Sequence, residues 1–245
     1  MKKLLRRPTR FKGITLGLDL HKKFIEFVGL NSAGDQIVGG RIAPDTKALG
    51  QLVERLGKEP VQVVFEACGC FLWVYDYLTA KLGAERVHVA QPSKIKVIAN
   101  SQEKNDANDA WWLAYFLYEG RLPEAYVSTG EHRKLKIATR ELRAYTNFRS
   151  DLLRRFGSHL AQAGQAVPKG WHTSQVKREA VQGLIGELKT ESVDALRDLY
   201  RHILKLGKTI RRWKEKVEKL CQSFPAIERM IDELPGLGPI TAATV

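Results

Sequence analysis

Few cysteines, no long apolar run and a shortage of acids set the first limits on this 245-residue chain. Cys68, Cys70 and Cys221 are its only cysteines, an odd number that argues against a disulfide framework. Cys68-Gly69-Cys70 has the wrong spacing for zinc, and no second Cys or His pair at ligand spacing accompanies it, which argues against structural zinc as well. No stretch approaches the roughly 18 consecutive apolar residues of a membrane span. The basic start, Met1-Lys2-Lys3-Leu4-Leu5-Arg6-Arg7, lacks the apolar core of a signal peptide, so the expectation is a cytoplasmic protein with no membrane partner. Asp and Glu number 27 against 40 Lys and Arg, giving a net charge of +13. Such a balance favours a polyanionic partner, because cations that neutralise phosphates gain affinity by counterion release. Nucleic acid fits, with an anionic membrane as the rival, and the basic start reads as an arm that binds nucleic acid or solubilises the chain.

Against that shortage, the placement of a few acids stands out. In Lys104-Asn105-Asp106-Ala107-Asn108-Asp109-Ala110 two carboxylates lie one helical turn apart, directly before an apolar helix. Residues three apart project from the same side of a helix, so Asp106 and Asp109 can present oxygens to one point while Ala110, Trp111, Leu113, Ala114 and Leu117 pack inward. The ordinary reading is capping, with Asn105 or Asp106 as N-cap and early acids favoured by the helix dipole. Two further acids shift the balance. Ile14-Thr15-Leu16-Gly17-Leu18-Asp19 and Val61-Gln62-Val63-Val64-Phe65-Glu66 are apolar strands that each stop on a carboxylate. Near-continuous apolar runs imply central positions in a sheet covered on both faces, and functional groups collect at the carboxyl ends of such strands.

Four converging carboxylates repel one another unless protons or cations neutralise them. Hard divalent ions are the natural solution. Two Mg²⁺ or Mn²⁺ ions roughly 3.5–4 Å apart stabilise the attacking and leaving oxygens of a phosphoryl transfer. The expected site is therefore Asp19, Glu66, Asp106 and Asp109, catalytic and metal-binding together, with Asp19 as the bridging ligand. His21 lies close enough to approach a phosphate, but a lone histidine is more often a surface residue and stays outside the expected site.

The order of these segments carries a family resemblance. Gly17-Leu18-Asp19-Leu20-His21-Lys22, then Phe65-Glu66-Ala67-Cys68-Gly69, then the Lys-x-Asp-x-x-Asp-Ala segment ending at Ala110, resemble the amino-terminal RuvC-like domain of the DEDD transposases of the insertion-sequence-110 family, relatives of the Piv site-specific invertases. Val87-His88-Val89-Ala90-Gln91-Pro92 and Gly120-Arg121-Leu122-Pro123 resemble the same family, and Cys68 stands where relatives often carry Thr or Ser. The resemblance implies a ribonuclease-H-like fold, a Mg²⁺-dependent DEDD centre that cuts and joins DNA, and recruitment by a structured noncoding bridge RNA. In that family a carboxyl-terminal domain begins at a Pro-Gly-x-Gly segment and supplies a serine nucleophile.

The pattern of elements agrees with an α/β fold. Strands over 24–30 and 36–40 flank a Gly-containing turn. A helix from about Thr46 to Gly57, the Glu66 strand, a helix over Phe71–Leu82, the Val87–Ala90 strand and the acidic helix follow. Hairpin strands first and alternation afterwards suit a ribonuclease-H-like mixed sheet with flanking helices.

From Glu131 the character changes to long basic helices. Leu196, Leu199, Ile203, Leu206, Ile210, Trp213, Val217 and Leu220 form a heptad seam, and a helix bearing Leu135, Leu142, Tyr145, Leu152 and Phe156 is its antiparallel partner. Residues 165–174 read as a connecting loop. Intramolecular packing explains the seam and solvation the charges; oligomerisation into dimers or tetramers, with RNA or DNA on Lys104, Arg149, Arg154, Arg155, Lys208, Arg211 and Arg212, is weighed slightly above that. The segment Leu234-Pro235-Gly236-Leu237-Gly238-Pro239 resembles a helix-hairpin-helix turn, where Gly236 and Gly238 would offer backbone amides to a phosphate. The expected organisation is a basic arm over 1–12, the RuvC-like domain over 13–128, a helical coiled-coil region over 129–224, and over 225–245 the truncated start of the family's carboxyl-terminal domain.

No residue matches the family's serine. The expectation is thus a transposase that either fails to recombine DNA in this form or works with a separate subunit. The competing readings are a RuvC-like structure-specific nuclease, and a non-catalytic RNA- or DNA-binding fragment that regulates a full-length transposase.

Overall fold

A computed structural model describes residues 11–98, 106–234, 236 and 238–243, which form two compact units divided between Val127 and Ser128. The first is a five-stranded mixed sheet with helices. Strands β1 (Ile14–Leu20), β2 (Ile25–Leu30), β3 (Gln36–Ile42), β4 (Val61–Glu66) and β5 (Val87–Ala90) stand in the order β3-β2-β1-β4-β5. The β1–β2 and β2–β3 pairs are antiparallel, and β1–β4 and β4–β5 are parallel. The sheet is ribonuclease-H-like, as the alternation of elements implied. Helices α1 (Thr46–Arg55), α2 (Phe71–Leu82), α3 (Pro92–Ile98) and α4 (Asp106–Tyr118) complete the unit. Asp45 caps α1 by accepting a hydrogen bond from the Ala48 amide at 2.8 Å.

β1 and β4 are central strands, and their faces alternate as the period of two requires. Ile14, Leu16 and Leu18 of β1 share one core with Val61, Val63 and Phe65 of β4, together with Leu49 and Leu52 of α1 and Val74 and Leu78 of α2. The other face meets α4. Val28 and Leu30 pack with Ala110, Ala114 and Tyr118, and Val64 with Leu113 and Phe116. Gly17 decides how closely. A Cβ there would lie 2.0 Å from the Ala110 carbonyl oxygen and 2.8 Å from the Ala114 nitrogen, so α4 lies on the backbone of β1.

The second unit is helical: α5 (Gly130–Gln162), α6 (Gln175–Glu187), α7 (Val193–Cys221), α8 (Pro225–Glu233) and α9 (Pro239–Ala242). α5 and α7 are antiparallel. Phe156 and Leu160 near the end of α5 pack with Leu196, Leu199 and Ile203 near the start of α7, whereas Leu135 and Leu142 pack with Val217 and Cys221. The heptad residues buried here are thus covered by α5 of the same chain. Residues 165–174 contain no helix, but they carry a core residue: Trp171, 1% exposed, lies against Phe156 and stacks on Tyr200 with centroids 5.2 Å apart.

Candidate functional site

Sequence folds the first two acids into neighbouring positions. The parallel register of β1 and β4 runs to the pair Leu18 and Phe65; one step further along the two strands stand Asp19 and Glu66, on strands about 4.8 Å apart. Their face follows from parity. Gly17 and Val64 meet α4, so Asp19 and Glu66, two residues on, belong to the same face. Both are half-buried. β1 runs one residue beyond the expected end, to Leu20, because Leu20 still pairs with Ile25 of β2.

The start of α4 comes to the same end of the sheet. Its carboxyl-terminal Tyr118 packs with Leu30, which pairs with Thr15 at the beginning of β1, whereas Ala110 lies over Gly17. The helix therefore runs antiparallel to β1, and its first turn approaches the carboxyl ends of β1 and β4. Asp109 stands four residues before Leu113, whose side chain packs with Val64 of β4, which puts Asp109 in the row above that strand. Its side chain is exposed. Asp106 begins α4; its side chain lies outside the described residues, as do Asn105 and Lys104 entirely.

The donors suit a hard cation. All four expected ligands are carboxylates, the set that Mg²⁺ and Mn²⁺ prefer. Among the described residues, though, no three His, Cys, Asp or Glu side chains are grouped so as to hold an ion. What the fold brings together is Asp19 beside Glu66, with the first turn of α4 directed at the same end.

Two neighbours were not part of the expected site. His21 Nε2 lies 2.8 Å from Asp19 Oδ2, and its ring packs on Phe24 with centroids 4.5 Å apart. A spacing of i, i+2 carries no signal in a strand that is still extended; the contact exists because the chain leaves β1 after Leu20 and turns back, with the His21 amide donating to the Phe24 carbonyl. The second is Cys68, whose Sγ stands 3.5 Å from that of Cys70 and 4.0 Å from the Leu20 carbonyl. Burial raises the Cys68 pKa above the usual thiol value, and the neighbouring Cys70 contributes.

The expected nucleic-acid residues divide. Arg149 on α5 and Lys208 and Arg211 on α7 line one cleft of about 940 Å³ in the helical unit. Arg154 is exposed and ion-paired with Asp151, and Arg155 and Arg212 are exposed outside that cleft. Gly236 has a φ of 86°, a left-handed turn, and Gly238 precedes the four-residue α9, which packs with α7 through Ile240 and Val217. No helix among the described residues is long and apolar enough to cross a membrane.

No curated protein matches the chain. A family model described as a transposase of the DEDD type does, over residues 16–164, which takes in Asp19, Glu66, Asp106 and Asp109 and more than half of the chain. The chain belongs to the insertion-sequence-110 family of DEDD transposases.

Proposed function

We propose that this chain cuts and rejoins DNA at a centre formed by Asp19, Glu66, Asp106 and Asp109, holding Mg²⁺ or Mn²⁺, with two ions as the expected complement. The reading is supported above all by one observation: Asp19 and Glu66 end adjacent parallel strands on the face covered by α4, whose first turn reaches the same end. Bound there, the ions would supply Lewis-acid stabilisation of the phosphodiester oxygens. The protein's own part is positioning. The sheet fixes two carboxylates at strand spacing, the Gly17 contact sets the height of α4 above them, and His21 orients the Asp19 carboxylate through Oδ2. Orientation of this kind is what holds reacting groups in line.

DNA is the substrate, and a structured bridge RNA is the proposed guide. Lys104, Arg149, Arg154, Arg155, Lys208, Arg211, Arg212 and the turn at Gly236 and Gly238 are the proposed nucleic-acid contacts. A homo-oligomer, dimer or tetramer, is part of the same proposal, supported by Ile137 and Phe148, which leave 47% and 59% of their surface exposed on α5.

The test is metal-dependent cleavage of supercoiled and branched DNA by the wild type and by Asp19→Asn, with and without RNA, alongside melting curves in Mg²⁺, Mn²⁺ and chelator. Loss of cleavage and of the metal-induced rise in melting temperature in Asp19→Asn, with DNA affinity retained, supports the centre. Undiminished cleavage by Asp19→Asn refutes it. Junction cleavage independent of RNA would instead identify a free-standing RuvC-like nuclease, and the absence of both cleavage and metal stabilisation a binding fragment.

A further inference from the structure

The strongest feature outside the carboxylate centre is the cleft of about 940 Å³ in the helical unit, walled by α5, the 165–174 segment, α6 and α7. Basic side chains come from all four: Arg149, His172, Arg178, and the α7 series Arg201, Lys205, Lys208, Arg211 and Lys214; among the described residues, no Asp or Glu lines it. The charge is built into α7. From Leu199 to Lys214 the helix carries six Lys and Arg and not one acid, whereas exposed helices usually interleave the two signs at i, i+3 and i+4. α7 does so on either side of that stretch, in the Arg197–Asp194, Arg201–Asp198 and Lys214–Glu218 pairs, which leaves Lys205, Lys208 and Arg211 as the cleft cations of α7 with no ion pair among the described residues.

Three details make this more than a solvated face. Two buried nitrogens of the lining residues, Arg149 Nε and His172 Nδ1, have no hydrogen-bond partner among the described residues. Buried polar atoms of this kind are costly unless something satisfies them. Burial lowers the pKa of both groups, and at His172 the Arg149 charge adds to it. Next, the floor is apolar and aromatic as well as basic. Tyr200, Ile203, Leu204 and Ile210 lie between the cations, and Tyr200 is held rigidly, stacked on Trp171 and donating its hydroxyl to the Arg178 carbonyl at 3.1 Å. Lastly, Gly207 stands in the middle of α7 and lines the cleft. A glycine inside a helix costs about 1 kcal/mol relative to alanine, and here packing does not demand it, since an added Cβ would meet nothing within 4 Å. Glycine at such a place lets a ligand approach the backbone.

We propose that this cleft binds single-stranded nucleic acid, with backbone phosphates on Arg149, Lys205, Lys208 and Arg211 and an unstacked base laid over the Gly207 gap against Tyr200 and Leu204. A positively charged groove combined with an aromatic platform is the arrangement that holds single strands. The volume lies in the range of small-ligand pockets and suits a few nucleotide units. RNA and DNA single strands share this chemistry. The inference rests on the nucleic-acid reading above and adds strandedness and a location.

The experiment uses the full chain in chelator, so that the carboxylate centre is silent, and fluorescent oligonucleotides of one sequence as single-stranded RNA, single-stranded DNA and duplex. Gly207→Leu fills the gap and keeps every cation. The expected result is at least a tenfold loss of single-strand affinity in Gly207→Leu and in Arg149→Gln, with duplex affinity unchanged within twofold in Gly207→Leu. Tighter binding of the RNA strand or of the DNA strand tells which source the site serves. Wild-type single-strand affinity in a folded Gly207→Leu protein overturns the proposal, as does equal loss for strand and duplex. Should that variant fail to fold, photocrosslinking of thiouridine-bearing RNA to the wild type decides: adducts within 200–211 support the site, and adducts only elsewhere overturn it. Cleavage lost in Asp19→Asn with the cleft variants binding normally would leave the catalytic reading standing and remove this one.

Discussion

Replacing Gly17 by alanine tests the contact on which the geometry of the carboxylate centre depends. The added methyl would sit 2.0 Å from the Ala110 carbonyl oxygen, where ordinary contact starts at 3.4 Å. The obstacle is backbone on both sides, so no rotamer change relieves it; α4 must move off β1 by about 1.4 Å in a core packed as densely as a crystal. Overpacking of this sort costs about 1–3 kcal/mol. At about 2–4 °C per kcal/mol for a chain of this size, the melting temperature should fall by about 2–12 °C. Activity should fall further. The displaced helix carries Asp106 and Asp109, and a misplacement of about 1 Å costs on the order of 100-fold in rate. The assay is a melting curve beside metal-dependent DNA cleavage, measured well below the variant's transition. Unchanged stability would refute the packing; a variant that is destabilised yet cleaves at the wild-type rate when folded would show that the height of α4 above β1 does not govern the chemistry.

Other consequences concern stability. Thr15→Val leaves the Gln62 side-chain amide, which donates to Thr15 Oγ1 at 2.8 Å in a buried site, without its acceptor, and urea denaturation should register a loss of about 1–3 kcal/mol. Trp171→Ala empties a site bounded by Phe156 and Tyr200; a cost of about 3–5 kcal/mol should appear in the same measurement, although residue 171 lies outside any helix. His172 gives a pH dependence. Its pKa is lowered in the folded state, by desolvation first and the Arg149 charge second, so below the ordinary histidine value of about 6.5 the unfolded chain binds more protons and folding weakens. The melting temperature should therefore drop as pH falls through and below that value, and part of the drop should vanish in His172→Asn; an identical pH profile in the variant would contradict the assignment.

How much of this could be read from residues alone differs from one element to the next. The strands ending near Asp19 and Glu66, the hairpin, the helix over Phe71–Leu82 and the strand over Val87–Ala90 were legible, because burial on both faces writes an apolar run and glycine-containing turns punctuate it. The same uniform apolarity hides which face a strand residue takes. Only the packed sheet, through Gly17 under Ala110 and Val64 under Leu113, puts Asp19 and Glu66 on the face of α4. The His21 contact needed the turn after Leu20, and the role of Trp171 needed Phe156 and Tyr200, which are distant in sequence.

By itself the sequence determined which carboxylates exist, the elements that carry them and the excess of positive charge, all of them local properties recorded in periodicity and composition. Tertiary structure alone decided that Asp19 stands beside Glu66, that heptad positions such as Leu196 and Val217 pack against α5 of their own chain, and that Arg149, His172 and Lys208 share one cleft. Those are pairings between segments far apart along the chain, and a periodic pattern states that a face must be covered without naming the face that covers it.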